Sequence, residues 1–297
     1  VARDSGRAAR VRTWKLVRKA SLYAGLIAGG VAMMIPFLWM LSTSLKSRSE
    51  VFSSAPFSFP TGLHWENYTN MWNALPDVTF GTFFQNSLII ASLATIGQLI
   101  TCSMAAYAFA VLDFRGKRVL FAFILATLII PFQVVLVPNF VLYRYLPWPW
   151  SDSGNWIGTN LPLWVWAFFG GAFGTFLLRQ FFLTIPDDLA DAARVDGANP
   201  WQIYRRIYLP LALPAMATLA IFQFMWSWND LLDPLIYLRD LPTYTTTVGL
   251  AFFQGEYVGN WPAMMAGALV SLLPMIILFL VAQKYFVRGI TISGLKG

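Results

Sequence analysis

Six apolar runs, each long enough to cross a bilayer, recur along this chain and leave it few folds to choose from. They cover 22–41, 83–111, 119–142, 161–182, 211–238 and 262–283. About 20 apolar residues span the ~30 Å hydrocarbon core of a bilayer as a helix. Inside lipid each backbone N–H and C=O must find its partner within the protein, so isolated runs of this kind become helices. The expected fold class is therefore an all-α polytopic membrane protein with six transmembrane helices. Charged residues form 12% of the chain, roughly half the share of about 25% in a soluble domain, which agrees.

Charge sets the expected orientation. Only Lys46, Arg48, Arg144 and Arg239 fall in segments assigned outside, and the other 17 of the 21 Lys and Arg fall in segments assigned inside. Cytoplasmic loops carry such an excess, so both ends are expected in the cytoplasm. The basic residues before position 20 precede an apolar run longer than the 7–15 residues of a signal peptide, which reads as an uncleaved first span. The expected organisation is a basic segment over 1–20, a membrane domain over 21–283 and a cytoplasmic tail over 284–297. Gly25 with Gly29, and Gly170 with Gly174, make GxxxG pairs suited to close helix contact. Thr95, Gln98 and Cys102 recur with Ala91 and Ala106 on one small and polar face, expected to look into the bundle.

Several function classes are excluded or unsupported. The net charge of +7 belongs to the inside loops, and no exposed basic stripe is interleaved with aromatics, so nucleic acid is not an expected partner. One cysteine, Cys102, and one histidine, His64, supply neither a disulfide nor a metal set. There is no GxxxxGK[ST] phosphate cradle, and no nucleophile with a base. The chain is not expected to be an enzyme.

Between the fourth and fifth runs lies a charged amphipathic segment over 186–210, PDDLADAARVDGANPWQIYRRIYLP. Asp187, Asp188 and Asp191 open it, and Arg205 and Arg206 close it. Thr184 is the expected cap of a helix beginning near Ile185, and Pro186 with the acids suits a first turn. Ile185, Leu189, Ala192 and Ala193 then share one narrow face. Gly197 is expected to stop that helix. Asn199 caps and Pro200 opens a second short helix over 200–207, and Pro210 marks the return to membrane. Two readings of these residues stay open: a docking element for a soluble partner, or an amphipathic helix lying in the headgroups. Interfacial helices usually carry Lys and Arg on the polar face, whereas this one opens on acids.

The same segment resembles the EAA motif of ABC importer permeases: an acid-Ala-Ala, three residues, Gly, nine residues, then Ile-x-Leu-Pro. Asp191, Ala192, Ala193, Gly197, Ile207, Leu209 and Pro210 occupy those positions, with Asp where the family usually has Glu. Trp228-Asn229-Asp230, the AAYAFA run over 105–110, and the tail patterns at 285–289 and 294–297 resemble the carbohydrate-uptake branch, in particular the maltose-transporter-type second subunit. The resemblance implies the ABC type I importer fold with a cytoplasmic coupling loop, in a bacterial or archaeal inner membrane. It implies a homologous second permease, two copies of an ATPase that hold ATP and Mg, and an extracytoplasmic solute-binding protein that delivers a sugar. This chain would itself hold no cofactor and no metal.

Gln223, Ser227 and Asp230 share one face of the fifth run by i, i+4 and i+7 spacing, with Trp226, Trp228 and Asn229 beside them. A membrane-embedded acid rarely faces lipid, and side-chain amides both donate to and accept from hydroxyl-rich ligands. Gln223, Trp226, Ser227, Asn229 and Asp230 are thus candidates for the wall of a substrate path. Helix–helix contact, or an Asp230 solvated at the outer end, explains the same residues. An ion-coupled secondary carrier would need inverted repeats, and none is visible. A membrane scaffold without transport is a third reading of the chain. Within the importer reading, glycerol 3-phosphate or a polyol could replace the sugar.

Overall fold

The computed structural model describes residues 2–53, 55, 58–75, 77–255 and 260–293, with side chains within 14–252 and 260–283. The tail pattern at 294–297 lies outside the described residues. The helices in chain order are α1 (Ala2–Ser44), α2 (Arg48–Ser53), α3 (Glu66–Trp72), α4 (Phe80–Val111), α5 (Lys117–Ala126), α6 (Phe132–Tyr145), α7 (Leu161–Trp164) and α8 (Ala172–Phe182). They continue as α9 (Asp187–Val195), α10 (Pro200–Ile203), α11 (Leu209–Leu211), α12 (Leu213–Asn229), α13 (Leu232–Tyr237), α14 (Thr246–Gly255) and α15 (Trp261–Ser293). No strand occurs among the described residues.

The chain divides into two compact units, one of 1–71 with 259–269 and one of 72–258 with 270–297. In the first unit α1 is continuous from Ala2 and takes in both the basic segment and the first apolar run. None of its apolar stretch is buried within the chain, and a Cβ at Gly25 or Gly29 would meet nothing within 4 Å. The loop after α1 is pinned by Asn67, whose Nδ2 donates to the carbonyls of Ser44 and Lys46, each at 2.9 Å.

The second unit is a bundle around α4, which packs along α8 and α12. The expected inward face of α4 is buried at Ala91, Gln98, Cys102 and Ala106. At Gly174 a Cβ would stand 2.8 Å from Cys102 Sγ and 3.0 Å from Leu219 Cδ2, so a side chain there would hold three helices apart. The expected Gly170–Gly174 pair is not one continuous helical face. Gly170 has φ +96° and breaks the fourth run, which is a short α7, a 3₁₀ turn over Val165–Phe169, and then α8.

By length and composition, four stretches can each cross a membrane: Trp14–Ser44, Phe80–Val111, Leu161–Phe182 and Trp261–Gln283. Two bent pairs complete six, Lys117–Ile129 with Phe132–Tyr145 at 100°, and Pro200–Leu211 with Leu213–Asn229 at 76°. The third run was expected to be kinkable at Pro131 and Pro138 and bends at the first of them, whereas the fifth was expected as one span and is broken; proline explains both. Ile130, ahead of Pro131, takes ψ 115°, because the residue before proline is driven out of the helical region. Pro138, inside α6, does not break it. In the fifth run the helix stops at Asn229 instead of reaching 238. Pro234 has no N–H to offer the Asp230 carbonyl, and its ring would clash there.

Candidate functional site: a bent loop joined to the bundle core

The segment over 186–210 folds as two short helices around a sharp bend. Pro186 is extended at φ −59°, ψ 133°, and α9 starts after it at Asp187. Thr184 is not the cap: its hydroxyl donates to the Phe181 carbonyl at 2.7 Å. Asp187 and Asp188 occupy the first turn, where the helix dipole favours negative charge. Gly197 ends α9 with φ +80°. Its N–H donates to the Arg194 carbonyl at 3.0 Å, and the Ala198 N–H reaches the Ala193 carbonyl at 2.9 Å. That bond pair is the Schellman stop, which needs the left-handed residue glycine supplies.

Two residues later the chain turns helical again. Asn199 Oδ1 accepts from the Gln202 N–H and Gln202 Oε1 accepts from the Asn199 N–H, both at 2.9 Å. This reciprocal box satisfies two donors that a helix start leaves free. The second helix runs past the expected end at 207, through a π-helical turn over Tyr204–Tyr208 into α11. The 76° bend into α12 follows, where Pro210 and Pro214 open the two successive helices.

The inner side of the loop belongs to the bundle. Ile185, Ala190, Ile203, Tyr204, Tyr208 and Ala212 form one buried cluster with Cys102, Ala106 and Tyr107 of α4 and with Leu178 and Phe182 of α8. Tyr107 sits at the join. Its ring lies 5.3 Å from those of Tyr204 and Tyr208, and its hydroxyl donates to the Pro200 carbonyl at 3.0 Å. Ser103 and Tyr204 share a buried hydroxyl–hydroxyl bond of 2.8 Å. Arg179 ties α8 to the end of α4, its Nε donating to the Phe109 carbonyl at 3.0 Å. Replacing Tyr107 by Phe keeps the rings and removes one anchor, so it is expected to destabilise the chain by about 1 kcal/mol. A lower thermal midpoint of the purified protein checks this.

The outer side carries the motif acid. Asp191 is exposed and pairs with Arg194 at 2.5 Å, so within this chain its carboxylate has a local partner. Leu189, Ala192 and Val195 are exposed, Val195 at 88%. The single face expected from Ile185, Leu189, Ala192 and Ala193 is therefore divided. Ile185 stands before the helix and turns inward, Ala193 is half-buried, and Leu189 and Ala192 look outward. Extended Pro186 resets the register, which is why Ala190, absent from that face, is the buried contact. Of the remaining motif positions, Ile207 and Leu209 are half-buried and Pro210 is exposed.

The other candidate residues do not form one site. Gln223 Nε2 donates to Ser227 Oγ at 3.2 Å, a turn apart on α12. Trp226 is 74% exposed, on a side shared with Phe222, Met225 and Asn229. The Asn229 side chain donates back to the Met225 carbonyl at 2.8 Å. Trp228 is core, edge-on to Phe84 and stacked on Phe224, with its indole N–H donating to the Ser271 carbonyl. Asp230 has left the helical face. Its Oδ1 accepts from the N–H groups of Leu232, at 3.1 Å, and Asp233, at 3.3 Å, across the turn into α13. Such a local side-chain bond competes with helix continuation. Pro234, four residues on, was the sequence signal for this break. Asp233, the second acid of the run, is the residue the sequence reading missed.

Residues 99–292, which hold α8, the bent loop and α12, match the family model described as binding-protein-dependent transport system inner membrane component. This chain belongs to that family. The permease is 34% identical over 266 residues to the arabinooligosaccharides transport system permease protein AraQ of Bacillus subtilis, which covers 89% of this chain and 91% of that one. It is 33% identical over 295 residues to the osmoprotective compounds uptake permease protein GgtD of a Synechocystis strain, covering 96% and 97%. A solved bacterial ABC transporter that imports the acidic polysaccharide alginate has a chain matching with TM-score 0.76 at 26% identity, over 91% of this chain and 97% of that one. The permease is thus a multi-pass inner-membrane component of an ABC importer, with the helical fold of that class. The transport subunit is non-catalytic.

Proposed function

We propose that this permease carries a sugar, and specifically an oligosaccharide, into the cell, driven by ATP hydrolysis on separate ATPase subunits that grip the loop over 186–210. One observation carries the coupling: the loop shares a single buried cluster with α4 and α8, so force on its outer side reaches the bundle without a flexible joint. Asp191, Ala192, Ala193, Gly197, Ile207, Leu209 and Pro210 build the docking element. Leu189, Ala192 and Val195 offer the apolar contact surface. ATP and Mg stay on the ATPases.

The names of AraQ and of the alginate importer support a sugar cargo. The name of GgtD favours a second reading, a small compatible solute such as a polyol. A binding screen of the cognate solute-binding protein against oligosaccharides, polyols and glycerol 3-phosphate separates them. Gln223, Trp226, Ser227 and Asn229 would line the path from α12, with Asp230 at its end. A homologous second permease would cover the unburied α1, where Gly25 and Gly29 leave room for a close helix. Both termini lie in the cytoplasm in this reading, with 1–20 and 284–297 flanking the membrane domain over 21–283.

The docking surface has a direct test. Cys102 is the chain's one cysteine and is fully buried, so Val195→Cys introduces an accessible thiol. In the assembled complex this variant is expected to cross-link to the ATPase through a short bifunctional reagent, and bound nucleotide is expected to change the yield. Cross-linking to lipid-facing probes alone would favour the headgroup reading.

A further inference from the structure

The end of α4 is held by two cations from different parts of the chain. A helix leaves its last four carbonyls without intrahelical partners. Here the Leu112 N–H serves the Ala108 carbonyl at 3.3 Å, and side chains serve the next two. Arg179 Nε, from α8, donates to the Phe109 carbonyl at 3.0 Å. Lys117 Nζ, from the start of α5, donates to the Ala110 carbonyl at 3.3 Å and to the Leu112 carbonyl at 2.7 Å. Positive charge is favoured at such a helix end.

α5 depends on these ties. None of its ten residues is buried, and Gly116, at φ +81°, turns the chain just before it. Lys117 and Phe121 lie one turn apart on α5, and both touch the end of α4. The Phe121 ring is 5.5 Å from the buried Phe109 ring. The Arg179 guanidinium lies over the same Phe121 ring, 4.3 Å from its centroid. Among the described residues Arg179 forms no ion pair, so its charge is directed at a carbonyl and a ring. A guanidinium serves both at once, since its plane stacks while its edge donates, and a lysine ammonium has no such plane. Leu178 and Phe182, also on α8, belong to the buried cluster that holds the bent loop. Through neighbouring residues, α8 thus holds both the loop and α5.

We propose that Arg179 is a positioning residue for transport: it makes α5, the first half of the bent third span, follow α8 when the loop is pushed. This rests on the coupling reading of the loop. The buried cluster carries a push on the loop to α4 and α8, but no residue of α5 belongs to it. The movement of α5 therefore needs a tie of its own. Lys117 joins α5 only to the chain just before it, across the turn at Gly116. Arg179 arrives from α8, 70 positions from Phe109, and is the polar link between the helix beside the loop and the third span. An arginine that only anchored α8 among lipid headgroups would have no need of the Phe109 carbonyl or the Phe121 ring.

The test uses the complete transporter in proteoliposomes, with partner subunits free of accessible cysteine. An environment-sensitive thiol probe is placed either on α5, by Phe123→Cys, or on α8, by Phe176→Cys. Both positions are exposed, and the native Cys102 is fully buried. On adding ATP, both probes should shift in the otherwise unaltered chain. Arg179→Gln should keep basal ATP hydrolysis and the shift on α8 but lose the shift on α5. Arg179→Lys should restore only part of it, because the ammonium cannot stack and donate together. Phe121→Leu leaves the Phe109 bond in place and should weaken the α5 shift, which decides the matter if the arginine variants fail to assemble. An α5 shift retained in Arg179→Gln or unchanged in Phe121→Leu overturns the proposal. Loss of both shifts with normal basal hydrolysis overturns it too, since Arg179 would then serve α8 itself. If neither probe shifts in the unaltered chain, the coupling reading of the loop fails first and takes the proposal with it.

Discussion

Gly197→Val is expected to abolish coupled uptake while leaving the permease folded in the membrane. A Cβ at Gly197 would meet no atom within 4 Å, so the substitution is not a clash with neighbours. Its effect is on the backbone. The residue has φ +80°, a region that costs an L-residue about 1–2 kcal/mol and is a true outlier for a β-branched side chain. The chain can relieve that strain only by leaving the left-handed region. Doing so breaks the two bonds that close α9, from Gly197 to Arg194 and from Ala198 to Ala193. The bend between α9 and α10 then loses its fixed angle, and the outer face no longer meets a partner in one orientation. Uptake into proteoliposomes should fall at least about tenfold, the effect of some 1.4 kcal/mol, and loaded binding protein should no longer stimulate ATP hydrolysis. Gly197→Asn is the control, because asparagine tolerates the left-handed region and should keep most of the uptake. Equal uptake in the valine variant would show that the bend angle does not matter and would remove the docking element from the mechanism.

The features legible in the sequence are those written by local chemistry. Gly197 stopping a helix and Asn199 with Pro200 starting one depend on a few adjacent residues, and the structure places both as expected. The inward face of α4 was legible because small and polar residues repeat at helical spacing in a run that must avoid presenting them to lipid. Two other features were not. Helical spacing put Asp230 on a face with Gln223 and Ser227, but that spacing assumes an unbroken helix, and Pro234 denies it a hydrogen bond. The side of α9 that packs inward was misread because a nine-residue helix with apolar residues on two sides has no preferred inner face of its own. Tertiary contact chooses it, here Ala190 against the cluster around Tyr208. The long-range tie of Tyr107 to Pro200, 93 positions apart, has no sequence signature in a single chain.

Tyr208→Ala should have the largest effect on stability of any single change in the loop. Tyr208 is 1% exposed and is among the largest fully buried side chains in the chain. Its ring is edge-on to both Tyr107 at 5.3 Å and Phe182 at 5.6 Å, so it joins the π-helical turn to α4 and α8 at once. Truncating a buried aromatic to alanine destabilises by about 3–5 kcal/mol, because the cavity left behind closes only in part. Here the ring contacts come from two separate helices, α4 and α8, which are already in close contact at Gly174. The bundle therefore has little room to move inward, which argues for the upper part of that range. Tyr208→Phe keeps both ring contacts and should stay close to the parent. Chemical unfolding of the purified permease would measure the difference. The same alanine variant should lose transport before it loses assembly, since the cluster that ties the loop to α4 is also the one that would carry force inward. A variant that unfolds at the parent midpoint would mean that the loop and the bundle are energetically separate bodies. A push on α9 would then have no rigid route to the spans, and the coupling mechanism would need another path.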